Sequence, residues 1–292
     1  MEDLAELAEV FVMLRLRLPL RDMMASVSTK LLDRPGPEAV PLVVRIIRAS
    51  GQGSLFYLNL FEFCNEHIAS MKAQDVALYS YEMGRHGLRC RHFMEAVVRR
   101  ASFLVSEFGV EDLMRVWQGF IRFSRDNRAF YHSAMPKVRM QVKNLTVPQL
   151  ILALRGARDL QQSQGFIDLH AAACAELTLK IDQLSMAQAA NCLCHTGFNT
   201  KFRTQAQGLV KAVEQTWSET EDLTSLRVVE VVDALETFTS WGMKPFPLLA
   251  RLDGLLVDRQ VELKYTGNVS LWVLATQAFS NIEYLDARWP LV

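Results

Sequence analysis

The sequence predicts an all-α protein: a right-handed α-solenoid of about eight antiparallel helical hairpins, 36–41 residues each. Three observations carry this. Glycine (14) and proline (9) are scarce in 292 residues, which disfavours a turn-rich sandwich or barrel. Apolar residues recur at helical spacing, as in Leu150, Leu154 and Ala157, or Phe166, Leu169, Ala173 and Leu177. Two series of apolar anchors also interleave along the chain, the mark of a repeat in which stacked hairpins bury a continuous core.

The first series, opening the first helix of each repeat, is Leu4, Val40, Val76, Leu113, Leu150, Ala189, Val228 and Val269, at spacings of 36 to 41. The second series, opening the second helix, is Met23, Phe56, Phe93, Phe130, Phe166, Phe202, Phe246 and Tyr284. The repeats fall near 2–36, 37–71, 72–109, 110–145, 146–184, 185–223, 224–263 and 264–292, as one array. Punctuation fits this division. Arg34-Pro35-Gly36-Pro37 separates the first two repeats, and Ser50-Gly51-Gln52-Gly53 parts the helices of the second. Gly84 with Gly87, Ser163 to Gly165, Gly197 with Asn199, and Trp241 to Pro245 do so in the third, fifth, sixth and seventh. Glycine permits positive φ and proline removes a donor, so both interrupt helices. Thr146-Val147-Pro148-Gln149 reads as a helix start with Thr146 as N-cap.

Half the residues are hydrophobic and 22% are charged, which excludes a disordered chain. No apolar run approaches the roughly 20 residues of a membrane span; Val10 to Leu20 is broken by Arg15, Arg17 and Pro19. Glu2, Asp3, Glu6 and Glu9 are unlike a signal or transit peptide. Five irregularly spaced cysteines, Cys64, Cys90, Cys174, Cys192 and Cys194, read as reduced thiols of a cytosolic or matrix-like compartment. No nucleotide-binding glycine motif, nucleophile elbow or His-Glu-x-x-His set is present. The expectation is a protein that is not an enzyme, has no cofactor and takes no small-molecule substrate.

Repeats of this length, without tetratricopeptide or ankyrin signatures, resemble the loose organellar repeats called octotricopeptide or heptatricopeptide repeats. Those occur in FAST-kinase-like and RAP-domain proteins and in mitochondrial RNA-processing factors of kinetoplastids. The segments Thr146 to Leu154 and Leu184 to Ala190, each followed by a polar break and an aromatic-led helix, carry the resemblance. It implies a mitochondrial RNA-binding or scaffolding subunit of a ribonucleoprotein, in RNA processing, editing or ribosome assembly, with RNA and other protein subunits as partners. A purely protein-binding scaffold of the HEAT or armadillo type without RNA contact is the alternative function, and cytoplasmic is the alternative localisation.

Cys192-Leu193-Cys194-His195 suggests a metal cluster, but helical geometry turns the two cysteines about 200° apart, so they are expected as core thiols. Asp168-Leu169-His170 reads as an ordinary helix surface. Tyr79, Tyr81, Trp117 and Tyr131 are aromatic candidates for base stacking, with packing as the competing role.

The net charge of zero hides an asymmetry. Residues 85–143 carry 12 Lys/Arg against 5 Asp/Glu; residues 214–262 carry 4 against 10. Cations gather where one helix of a repeat turns into the next: Arg85, Arg89 and Arg91, then Arg125 and Arg128, then Lys201 and Arg203, then Lys244. Equivalent positions in stacked hairpins lie about 10 Å apart, so these residues are expected to line one edge as a ladder suited to phosphates. The alternatives are an edge that docks an acidic protein and one that is merely solvated. The acidic stretch Glu214 to Glu236, including Glu219, Glu221 and Asp222, would end the basic track, dock a basic protein or simply be a solvated loop.

Overall fold

A computed structural model describes residues 36–49, 56–87, 91–121, 127–160, 164–196, 200–243 and 246–259. Among these the secondary structure is helical, with no strand. The chain divides into two compact units, Met1–Val138 and Arg139–Val292. The first contains α1 (Val40–Ala49), α2 (Phe56–Glu66), α3 (Ala73–His86), α4 (Arg91–Phe103), α5 (Val110–Ile121) and most of α6 (Arg128–Met140). The second contains α7 (Val147–Asp159), α8 (Gln164–Leu179), α9 (Met186–Thr196), α10 (Thr200–Glu219), α11 (Val228–Ser240) and α12 (Phe246–Asp258).

Within each unit, helices pack in two layers. In the first unit α1 lies against α3 and α3 against α5, while α2 lies against α4. In the second, α7, α9 and α11 form one layer and α8, α10 and α12 the other. First helices therefore neighbour first helices, and second helices neighbour second helices, as stacked hairpins require. The anchors read from the sequence are what hold the layers. Val40, Val76, Leu113, Leu150, Ala189 and Val228 are buried at or near the starts of alternate helices. Phe93, Phe130 and Phe166 are buried early in α4, α6 and α8. Full burial of such side chains contributes about 1.5–3 kcal/mol each. Leu4, Met23, Val269 and Tyr284 lie outside the described residues, as do the breaks at Ser50 to Gly53, Gly197 with Asn199, and Lys244 with Pro245.

One glycine expected at a break belongs elsewhere. Gly84 lies inside α3; it is Gly87, at φ 67°, that ends the helix in the left-handed conformation. Gly84 is instead where α3 meets α5. A Cβ built on it would fall 2.5 Å from the Gly119 carbonyl oxygen, and one on Gly119 would fall 2.2 Å from that of Ser80. Both distances are inside contact, so only paired glycines allow these backbones to touch.

Between one hairpin and the next the chain makes a recurring junction. Two apolar residues three apart are joined by a backbone bond, the N–H of the second donating to the carbonyl of the first. The pairs are Met71 to Ile68 (3.3 Å), Leu145 to Val142 (3.2 Å), Leu184 to Ile181 (3.1 Å) and Leu226 to Leu223 (3.1 Å). The residue after each pair is the N-cap of the next first helix. Thr146 donates its N–H to Gln149 Oε1 at 2.9 Å, and Arg227 to Glu230 Oε2 at 2.8 Å. Ser185 and Gln188 make both bonds of a capping box, at 2.8 and 3.2 Å. The Thr146 start predicted from sequence is thus one instance of a device that phases successive hairpins.

Candidate nucleic-acid interface

Each hairpin has two ends with different chemistry. At the junction end, where first helices begin, three of the six described first helices carry acids in the first turn, Asp75 in α3, Glu111 and Asp112 in α5 and Glu230 in α11, while α1, α7 and α9 carry none. These complement the positive pole of the helix. At the other end, where second helices begin, α4, α6 and α10 have no acid in the first turn. They begin instead with Arg91, with Arg128, and with Lys201 and Arg203. A cation there is disfavoured by the same dipole, by roughly 0.3–1 kcal/mol, so local helix stability does not account for it.

The predicted cations are used in different ways. Arg91 and Arg128 are exposed first residues of their helices in the same unit; Arg91 pairs with Glu95 at 2.8 Å, with 90% of its side chain exposed. Arg85 is half-buried, bonded to Glu82 at 3.2 Å and to the Arg48 carbonyl at 3.0 Å. Arg203 in α10 is exposed; it donates to the Ser240 carbonyl, and its guanidinium lies over the Trp241 ring, 5.7 Å from the centroid. Arg89, Arg125, Lys244 and the side chain of Lys201 lie outside the described residues. Arg85 and Arg203 thus donate to carbonyls at the C-terminal ends of neighbouring first helices. Arg158 does the same for Cys194, at 2.9 Å. Such carbonyls lack intrahelical partners and carry the negative pole, a use of arginine that competes with phosphate binding.

A second set of cations escaped the sequence reading. Arg100 donates to Met71 O at 2.7 Å; Lys137 donates to the carbonyls of Val105, Ser106 and Phe108, the last at 2.6 Å. Lys180 reaches Leu145 O at 3.0 Å, and Arg259 reaches Leu226 O. Each comes from the end of a second helix and clamps the junction preceding its own hairpin. Had the repeats been phased on the junction, the recurrence of a cation some 30 residues later would have been the signal.

The aromatic candidates are mostly core. Tyr79, Trp117 and Tyr131 are fully buried. Tyr79 donates to the Phe61 carbonyl at 2.8 Å, and Tyr131 stacks edge-on against Trp117 at 4.7 Å. Only Tyr81 retains partial exposure. His170, expected on a helix surface, is also buried: its Nε2 faces the His195 carbonyl at 3.3 Å and its Nδ1 the Cys174 sulfur at 3.6 Å. Burial lowers the pKa of His170 to about 4 and that of His195 to about 3, so both imidazoles are neutral in the core. Burial likewise pushes the Cys192 thiol up to about 12 and the Cys174 thiol higher still, which suppresses thiolate chemistry. Cys192 is buried and Cys194 half-buried, on one helix. Among the described residues no group of three or more His, Cys, Asp or Glu is arranged to hold a metal ion, and no helix is long and apolar enough to cross a membrane. Compared with known proteins, the sequence matches no protein-family profile and no curated protein.

Proposed function

We propose that this chain is a non-catalytic RNA-binding and scaffolding subunit of a mitochondrial ribonucleoprotein, acting in RNA processing, editing or ribosome assembly. In this reading the hairpins continue as one right-handed solenoid, and the ends where second helices begin meet the RNA backbone. The supporting observation is the asymmetry between the two ends: acids stand in the first turns of α3, α5 and α11, while cations open α4, α6 and α10. The first amide N–H groups of a helix lack intrahelical acceptors and, with guanidinium groups beside them, suit phosphate oxygens. The protein-scaffold reading draws its support from Arg85 and Arg203, which already serve neighbouring helix ends.

The test is a salt titration of RNA binding for the wild type and a variant with Arg89, Arg91, Arg125 and Arg128 all changed to Ala. Each lost phosphate contact should flatten the log–log salt slope by about 0.7 for a single strand. Affinity should fall at low salt, with thermal stability nearly unchanged for the Arg91 and Arg128 changes because those exposed arginines contribute little to folding. Equal binding by both proteins, or none by either at low salt, would refute the RNA reading. A ribonuclease-treated pull-down that keeps its protein partner, and loses it with the variant, would install the scaffold reading.

A further inference from the structure

Large exposed apolar side chains are few among the described residues, and three of them share one position in the repeat. Phe103, Met140 and Leu179 are 72%, 76% and 81% exposed, and each is the final residue of its second helix, α4, α6 or α8. An isolated exposed leucine needs no explanation; recurrence at one register position does. Met140 and Leu179 belong to the second unit, and Phe103 holds the same register position in the first.

The charges of the second unit vary along that register. Beside Met140 stand exposed Arg139 and Lys143. Met140 and Leu179 each stand two residues before a junction pair, and the residue at that place before the Leu223–Leu226 pair is Glu221, just past the end of α10, with Glu219 and Asp222 exposed beside it. Beside Leu179 the place of Lys143 is taken by exposed Asp182, so successive hairpin ends run basic-apolar, apolar with a single acid, and acidic. An acidic ligand would suit the first and be repelled by the third, and a basic one the reverse. A partner that fits all three carries the same order backwards, which a second copy turned by a two-fold rotation provides.

We propose that the second unit self-associates through this register, with Leu179 against Leu179 of the second copy at the axis. Arg139 and Lys143 of each copy then face Glu219, Glu221 and Asp222 of the other. Arg139 already pairs with Asp168 at 2.8 Å, but both side chains are substantially exposed, so the pair is weak and exchangeable. The zero net charge of the whole chain permits close approach of two copies without long-range repulsion.

The experiment is sedimentation velocity of the full chain, after ribonuclease treatment, across micromolar concentrations at about 50 mM and about 500 mM salt, which bracket weak and strong screening. The wild type should be dimeric at low salt and dissociate at high salt. Leu179→Glu should weaken the dimer at least tenfold. Lys143→Glu and Glu221→Lys should each weaken it, and the two together in one chain should restore it, a rescue that a misfolded protein could not show. Circular dichroism melts verify that each variant folds. A wild type monomeric throughout overturns the proposal, as does a dimer that ribonuclease abolishes, one indifferent to these substitutions, or a double reversal without rescue. The RNA reading is untouched by these outcomes, because its own test alters other residues.

Discussion

At the scale of single residues, glycine chemistry is decided by what faces the missing side chain. Gly84→Ala should destabilise by at least 1–3 kcal/mol, since the new methyl meets backbone that cannot rotate away. Gly254→Ala, in α12 with nothing within 4 Å of the built Cβ, should instead stabilise by about 0.5–1 kcal/mol. Urea melts of both variants check the pair; a neutral Gly84→Ala would mean that α3 and α5 are not in contact. Titration supplies a second expectation. His170 and His195 are held neutral by burial, so below the unfolded value near 6.5 only the unfolded chain takes up their protons. Stability should therefore be fully present above pH 6.5 and fall as pH drops towards 4, by up to about 1.4 kcal/mol per pH unit for each group. Burial raises the Asp233 and Glu236 carboxyls, which oppose this loss once they begin to protonate. His195→Gln should remove one histidine's share of the slope in melts between pH 7 and 5; an unchanged slope refutes the assignment. Neither Gly84 nor His170 was legible in the sequence. A glycine that ends a helix and one that admits a neighbour look alike, and a histidine flanked by Asp168 and Leu169 gives no sign of which face is covered.

The elements themselves were legible because their causes are local. A first-turn cap such as Thr146 with Gln149, and apolar residues at helical spacing, act within a few positions of chain, so among the described residues the Thr146 start and the anchors Val40, Val76, Leu113, Leu150, Ala189, Val228, Phe93, Phe130 and Phe166 emerged at the predicted places. What the cations do was not legible, because their acceptors are backbone carbonyls that every residue possesses. Lys137 reaches carbonyls about 30 residues upstream, and the side chains there say nothing of the contact. Lys137→Met keeps much of the stem that packs along the helix while stranding three acceptors. It should cost about 1–3 kcal/mol, the scale for removing one partner of a part-buried polar contact. Hydrogen exchange should report the loss at the 104–109 junction before the helices beside it. Uniform loss of protection across α5 and α6 would instead mean the clamp is not local.

For the whole molecule, the segregation of charge separates two surfaces by residue identity. The arginines that open α4 and α6 lie in the first unit; Lys143, Leu179 and Glu221 lie in the second. The four-arginine variant that tests RNA binding should therefore sediment as the wild type does, and a change in its association state would show that the two surfaces overlap. Charge asymmetry was plain in the sequence, and so was the gathering of cations where first helices turn into second. The exposure of Phe103, Met140 and Leu179, each at the end of its helix, was not, because apolar residues at helix ends read as core until burial is known. The glycine contact between α3 and α5 also bears on how such an array could have grown. Stacked hairpins invite duplication and shuffling, each copy interchangeable with the next. Gly84 and Gly119 break that freedom, since no third hairpin inserted between them could present bare backbone on both faces without acquiring two matching glycines at once. A hairpin placed between these neighbours would have to bring its own pair of matching glycines to keep so close an approach.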